Sequence, residues 1–383
     1  MRIRLVVVCA VICCCFVSLV CAADVAALKA KAESGDVKAQ VALAQAYEKG
    51  EGVAQNDELA AKWFRAAADQ GDAQAQNELG ILYRRGIGVP QDKGQAFEWY
   101  ARSAAQGYGP GRFNLATCYY NGDGVGISDV LAYSWFRLAA ASGSKEAAEA
   151  VARMEAELSA SKLEEAKLTL AEMLSVGQQV HRDLTFALSV TREVADRGNP
   201  DAQFRVGRMY AEGIGTEQNA AAALRYLTAA GTPTALNYMA DMYLEGRGVT
   251  REPKKTVELL EKAAVFSPEP RLRIARMYWN GEGVPQDYKK AMKQYELAGF
   301  AGKATAFYQC SIAYRDGLGV KKNDGTACMF LVLAANRGSK EALGVLQQEC
   351  PGEKLETAKK KALQYMGEHY ERLRVARRPP WER

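Results

Sequence analysis

The chain has 383 residues, 48% of them hydrophobic and 25% charged, an ordinary globular balance with ample apolar material for a core. Its formal net charge of +5 is too small for this length to argue for nucleic-acid binding. Of nine cysteines, five (Cys9, Cys13, Cys14, Cys15, Cys21) crowd the first residues, leaving Cys118, Cys310, Cys328 and Cys350, too few and too scattered to build a fold on disulfides.

Residues 1–23 read as a secretory signal. Arg2 and Arg4 form a positive start, Leu5 to Val20 is an apolar run broken only by Ser18, and Cys21-Ala22-Ala23 offers small residues for cleavage before Asp24. The uncharged run is just long enough to span a bilayer, so an uncleaved anchor is the alternative. Lipid attachment is disfavoured because Val20, not a small residue, precedes Cys21. No other stretch could cross a membrane, and a periplasmic or secreted location follows.

From there the chain repeats one turn. Tyr83-Arg84-Arg85-Gly86-Ile87-Gly88-Val89 returns at Tyr47 to Val53, Tyr119 to Val125, Tyr210 to Gly215, Tyr243 to Val249, Tyr278 to Val284 and Tyr314 to Val320. Gly35, Gly71, Gly107 and Gly143 stand 36 residues apart and frame three repeats in constant register. In the second, Ala75, Leu79, Leu82 and Tyr83 share one face at helical periodicity, defining a helix A. Gly86 lets that helix end in a left-handed turn, and Gly88 permits close backbone approach. A helix B opens at Asp92, with Asn56, Ser128, Asp183, Asn219, Asp287 and Asn323 at equivalent positions, all good N-caps. Helix B carries a small residue where helices would cross (Ala60, Ala96, Ala132, Ala187, Ala223, Ala291 and Ala327), usually followed by a large apolar pair such as Trp99-Tyr100. Such a helix pair cannot bury its apolar faces alone and must stack on its neighbours.

The pattern A-x-x-x-L-G-x-x-Y-x-x-G-x-G-V…D-x-x-x-A-x-x-W-Y…A-A-x-G, carried by Ala75, Leu79, Gly80, Tyr83, Gly86, Gly88, Val89, Asp92, Ala96, Trp99, Tyr100, Ala104, Ala105 and Gly107, resembles the Sel1-like repeats, relatives of the tetratricopeptide repeats. The resemblance covers roughly residues 35–340. It implies an all-α, right-handed solenoid of antiparallel helix pairs with helix A lining a concave surface. Departures are Thr216 in place of valine in the fifth repeat and Glu252-Pro253 at a helix B start, where proline is tolerated.

The array is interrupted once. A long helix is expected from Ser144 to about Ser161, then a worn repeat at 162–197 that keeps Leu170, Leu174, Gly177, Val180, Asp183 and Ala187. Gly338-Ser339-Lys340-Glu341-Ala342 echoes Gly143 to Ala147, and Lys354 to Lys359 echoes Lys162 to Lys167. The expected organisation is repeats at 24–142, a long helix and degenerate repeat at 143–197, repeats at 198–337, capping helices at 338–370 and a basic, disordered tail at 371–383. Two sub-arrays hinged near 143–182 and one continuous solenoid with an insertion fit the sequence equally.

Catalytic signals are lacking. The two histidines, His181 and His369, stand far apart in a linear stack, which removes most triads and zinc sites. The Gly-x-Gly turns follow helices and lack a third glycine, unlike a dinucleotide fingerprint. Ser142-Gly143-Ser144-Lys145 spells S-x-x-K, a serine-nucleophile motif, but without its companion motifs it reads as a helix-start serine and a solvated lysine. No catalytic, metal or cofactor residues are assigned and no small-molecule substrate is expected. Cys310, at the core position of Leu79, and Cys328, just after the small residue of helix B, could lie at similar heights and form a disulfide. Two buried free thiols are the other reading. Cys118 and Cys350 should not pair.

A partner would sit on the helix A face turned away from the core. Its positions carry Asn77, Arg84, Phe113, Tyr120, Phe204, Arg208, Asn237, Asp241, Arg276, Trp279, Tyr308 and Arg315. Aromatics and arginines in this proportion are typical of interface hot spots, although some aromatics could pack between repeats. The expected function is a non-enzymatic exported scaffold holding a protein or peptide of acidic or mixed surface. Alternatives are an envelope enzyme or ligand-binder acting on peptidoglycan or β-lactams, and a secreted factor binding host proteins or acidic glycans. Membrane contact is expected only through an uncleaved signal or the basic tail.

Overall fold

The computed structural model describes residues 25–177 and 179–376, with side chains as far as 369, and every regular element among them is a helix. The leader, 1–23, and the last residues, 377–383, lie outside the described part. Contacts divide the chain into two compact units, Met1–Arg197 and Gly198–Arg383.

The first unit opens with α1 (25–33) and continues as three A–B pairs: α2 (Val37–Lys49) with α3 (Asp57–Asp69), α4 (Ala73–Arg85) with α5 (Lys93–Ala105), and α6 (Gly109–Asn121) with α7 (Asp129–Ala141). Then come α8 (Lys145–Glu157), α9 (Ala160–Val176) and α10 (Leu184–Ala195). The second unit has four pairs: α11 (Pro200–Glu212) with α12 (Ala220–Ala230), α13 (Pro233–Glu245) with α14 (Pro253–Ala263), α15 (Glu269–Asn280) with α16 (Tyr288–Phe300), and α17 (Ala304–Asp316) with α18 (Asp324–Ala335). It ends in α19 (Lys340–Glu349) and α20 (Glu353–Ala376).

The turn between A and B works as the sequence predicts. Gly86 closes α4 at φ 71° with its N–H on the Leu82 carbonyl, a conformation that costs a side chain about 1 kcal/mol or more. Asp92, nine residues after Tyr83, then donates its backbone N–H to the Tyr83 carbonyl at 2.9 Å. All seven expected N-caps accept a backbone N–H three residues on, at 2.8 to 3.3 Å. In the worn repeat Leu174 stands at the tyrosine position, and Asp183 still donates to its carbonyl at 3.0 Å. The closure is a backbone feature and outlives the tyrosine. Gly88 has a different task. A Cβ there would overlap the Asp57 carbonyl at the start of α3, so the second glycine lets one turn dock on helix B of the preceding repeat.

The long helix expected from Ser144 to about Ser161 is two helices. Leu158 is extended at ψ 143°, and Ser159 restarts the helix by capping Lys162 at 3.3 Å. Both α8 and α9 pack on α7, and α10 packs on α9. A charge cluster joins them. Arg137 on α7 donates to Glu193 on α10 at 2.9 Å, Lys167 on α9 donates to the same carboxylate at 2.6 Å, and Tyr133 donates to Glu155 on α8 at 2.8 Å. The Lys167 side chain is only 3% exposed, and Glu193 at 2.6 Å with Glu155 at 3.5 Å makes its burial tolerable.

Two expectations near the C-terminus are corrected. The disulfide joins Cys328 to Cys350 with Cα atoms 6.0 Å apart, while Cys310 is free and buried, as is Cys118. The reason is rotation about α18. Cys328 follows the crossing residue Ala327 and is turned about 100° from it, and the helix is buried on every side from Ala327 to Ala334. Cys328 therefore meets the end of α19 instead of α17. Secondly, the tail expected to fray from Glu371 continues as helix through Ala376.

Candidate partner-binding surface

In the first unit the predicted stripe splits into two fates. Asn77 is not on an open face: at 2% exposure it accepts a hydrogen bond from Asn114 at 2.8 Å and donates to Glu78 at 3.2 Å. Two successive A helices, α4 and α6, meet there, and the amide pair satisfies groups that the contact removes from water. Beside it burial pushes the Glu78 carboxyl above its usual range, with the Asn77 amide opposing and the Glu48 charge adding to the effect. Arg84 is half-buried. Phe113 and Tyr120 both present edges to Phe136, at 5.5 and 6.4 Å between centroids. Together with Glu149, Arg153 and Met154 of α8 they line a small cleft of about 220 Å³. These aromatics thus serve the packing and still reach an opening, and Tyr120 is 39% exposed.

The second unit keeps more of the stripe open. Arg208 and Arg276 are exposed. Arg208 pairs with Glu212 one turn on, at 3.2 Å, and no carboxylate pairs with Arg276 among the described residues. Phe204 of α11 meets Tyr238 of α13 edge-on at 6.1 Å, and Tyr238 donates to Glu212 at 2.8 Å with Arg247 over its ring. Asp241 of α13 is ion-paired with Arg273 of α15. Trp279 is half-buried between Tyr288 and Tyr295, at 5.0 and 5.8 Å. Asn237 turns back to the Pro233 carbonyl at 2.9 Å. Tyr308 is half-buried, and Arg315 is engaged by Asp316 and, at 3.5 Å, by Glu349. The stripe in this unit is a wall knitted across successive A helices, with Arg208 and Arg276 exposed and Trp279 half-buried.

Sequence periodicity missed the groups that do the knitting. Tyr238 and Asn114 lie one helical position away from the residues selected, and Arg273 pairs with a carboxylate 32 residues earlier. A glutamine ladder was also missed. Gln40 donates to the Ala32 carbonyl and accepts from Gln70, and one repeat later Gln76 donates to Ala68 and accepts from Gln106, all at 2.8 to 3.1 Å. Its signal was present, since each glutamine recurs after 36 residues. Arg112 takes the next place and donates to Ser142 at 2.9 Å. Ser142 is thus held in a repeat junction and also donates to the Leu138 carbonyl at 3.0 Å. Ser144 caps α8 and Lys145 is exposed, so the S-x-x-K string is structural. His181 is exposed in the loop before α10, and His369 stacks on Phe300 at 4.9 Å. No group of side chains among the described residues could hold a metal ion, and no described helix is long and apolar enough to cross a membrane.

Within each unit, helix pairs closed by a Gly-x-Gly turn that docks on helix B of the preceding pair define a helical-repeat solenoid. A Sel1 repeat profile matches residues 37–72, 73–108, 110–144, 200–232, 233–264, 271–299 and 306–339, and the chain belongs to this family. Among solved structures it is similar to a protective antigen of uropathogenic Escherichia coli with an SLR fold, at 24% identity over 92% of this chain and 89% of that one, TM-score 0.34. It is similar also to a Sel1 repeat protein from Oxalobacter formigenes, at 27% identity over 84% and 88% of the two chains, TM-score 0.37, and to an immunity protein from Pseudomonas aeruginosa, at 18% identity over 51% and 74%, TM-score 0.26. No curated protein matches.

Proposed function

We propose that this chain is an exported, non-enzymatic scaffold that holds a protein or peptide segment along the helix A face of its repeats. Sel1 repeats generally mediate protein–protein interaction. The observation that carries the finer reading is the exposure of Arg208 on α11, held only by Glu212 of its own helix, and of Arg276 on α15, one turn before the half-buried Trp279, while Asp241, Tyr238 and Arg315 on the same wall are engaged by neighbouring side chains. Guanidinium forks and indole edges recognise carboxylates and peptide planes, so a partner with an acidic or mixed surface fits. Export is supported by the charged start and apolar run of residues 1–23, and by the Cys328–Cys350 disulfide, a bond that persists in oxidising compartments.

The test is capture of a partner from a cell-envelope fraction by the wild-type chain and by a triple variant, Arg208→Ala, Arg276→Ala and Trp279→Ala. The variant should lose at least tenfold in capture with its helical circular dichroism unchanged. Undiminished capture would refute the assignment.

A further inference from the structure

The two units end in related ways, and the first has a covering helix with no counterpart among the described residues of the second. The echo that sets Gly143 against Gly338 also sets Tyr133 against Cys328 and Glu155 against Cys350. The Tyr133–Glu155 hydrogen bond and the Cys328–Cys350 disulfide therefore tie corresponding points. The second echo, Lys162 against Lys354, sets α9 against α20: Lys167 falls on Lys359 and Leu174 on Met366. In the first unit α10 lies along α9, buries Val190 and Val194, and places Glu193 on Lys167. Where α9 stops at Gly177, α20 has His369 and runs on. Among the described residues no helix covers α20 as α10 covers α9.

The uncovered place is an apolar cleft of about 760 Å³ between α18, α19 and α20. Val332, Cys350 and Lys359 line it, the counterparts of Arg137, Glu155 and Lys167 around Glu193. Leu343 and Leu363 stand 51% and 77% exposed at its edges. Arg337 and Lys359 are its charged lining residues, and it has no acidic one. The Arg337 guanidinium lies over Phe307 and is paired with no carboxylate among the described residues. Lys359, 51% exposed, is held by Glu356 on its own helix at 2.8 Å, the kind of surface pair that exchanges at little cost. From Leu355 to Met366 the α20 wall runs for about three helical turns, roughly 16 Å.

We propose that this cleft binds an amphipathic helix of another protein, one that carries a carboxylate within its apolar stripe and docks on α20 as α10 docks on α9. The carboxylate replaces Glu356 as the partner of Lys359. A second copy of the chain is the poorer occupant, because two-fold contact through this cleft would bring Lys359, Lys360 and Lys361 of each copy together. This site is separate from the helix A stripe.

The probe is a labelled peptide with the sequence of residues 183–196, stapled between positions 185 and 189 to preset the helix, titrated with the oxidised full-length chain. Saturable binding is expected. Lys359→Glu should weaken it at least tenfold, and a peptide carrying Glu193→Lys should recover that loss on the Lys359→Glu chain. Leu363→Arg, at an exposed position, should abolish binding, and the Arg208, Arg276 and Trp279 variant should bind normally. The proposal is overturned by absence of saturable binding. It is overturned equally if both cleft variants bind as wild type, which would place the peptide elsewhere. A dimer in sedimentation that Leu363→Arg dissociates would overturn it in favour of a second copy.

Discussion

Single residues in this chain matter most where backbone meets backbone. Gly88 combines φ 66° with an approach that leaves no room for a Cβ beside Asp57, so two independent penalties fall on one substitution. Gly88→Ala should destabilise the first unit by about 2–4 kcal/mol, and Gly126→Ala, with nothing within 4 Å of its Cβ direction, should be nearly silent; urea titration of both variants checks the contrast. Glu193 is the other sensitive residue. Burial opposes its ionisation, but the hydrogen bonds and charges of Arg137 and Lys167 outweigh burial and hold the carboxyl below its usual range. A depressed folded pKa means stability that is fully present above the unfolded value of about 4.3 and is lost as pH falls through the folded value. Glu193→Gln should therefore cost about 1–2 kcal/mol at neutral pH, less than a fully buried pair because the carboxylate is partly exposed, and the gap from wild type should begin to narrow once pH falls below the unfolded value of about 4.3. A gap that persists unchanged into acid would show that the carboxylate charge is not what holds Lys167.

At the scale of the element, the same helix pair is used with different fastenings. Interior helix B starts are held by a side-chain cap, worth about 1 kcal/mol each. Glu252 makes no side-chain cap, and Pro253 at the first helical position substitutes by presetting the backbone. The terminal helices need more, because α19 has a repeat on one side only. Its tether is the disulfide across 22 residues, which contributes about 3 kcal/mol by restricting the unfolded chain. Cys328→Ser should lower the stability of the second unit by about that amount, read as a fall in its denaturation midpoint under non-reducing conditions. Reductant should move the wild type and leave the variant where it is.

For the whole molecule, the consequence of stacking is that each repeat touches chiefly its sequence neighbours. Effects should then stay local. Hydrogen exchange on the Cys328→Ser chain should show faster exchange in α18 to α20 with α2 to α7 unchanged. Acceleration throughout would mean that the array unfolds as one cooperative body. Locality also explains how one chain can carry an arginine–aromatic wall and a separate apolar cleft without either constraining the other.

Most of the architecture was legible in the sequence, because a repeat states its local rules seven times. Gly86, Asp92 and Tyr83 act through bonds spanning nine residues or fewer, and periodicity alone locates them. The site was legible in type but not residue by residue. Helical period puts Asn77, Arg208 and Trp279 on one broad face, but whether a side chain there meets water depends on the next A helix, some 36 residues on. That neighbour closed over Asn77 and left Arg208 and Arg276 open. The disulfide partner of Cys328 and the cluster around Lys167 likewise hang on contacts between helices. What a residue does within its own turn was set by the amino-acid string. What it faces across a repeat boundary was decided by packing, since a rotation of about 100° per residue converts a one-position difference into a different neighbour.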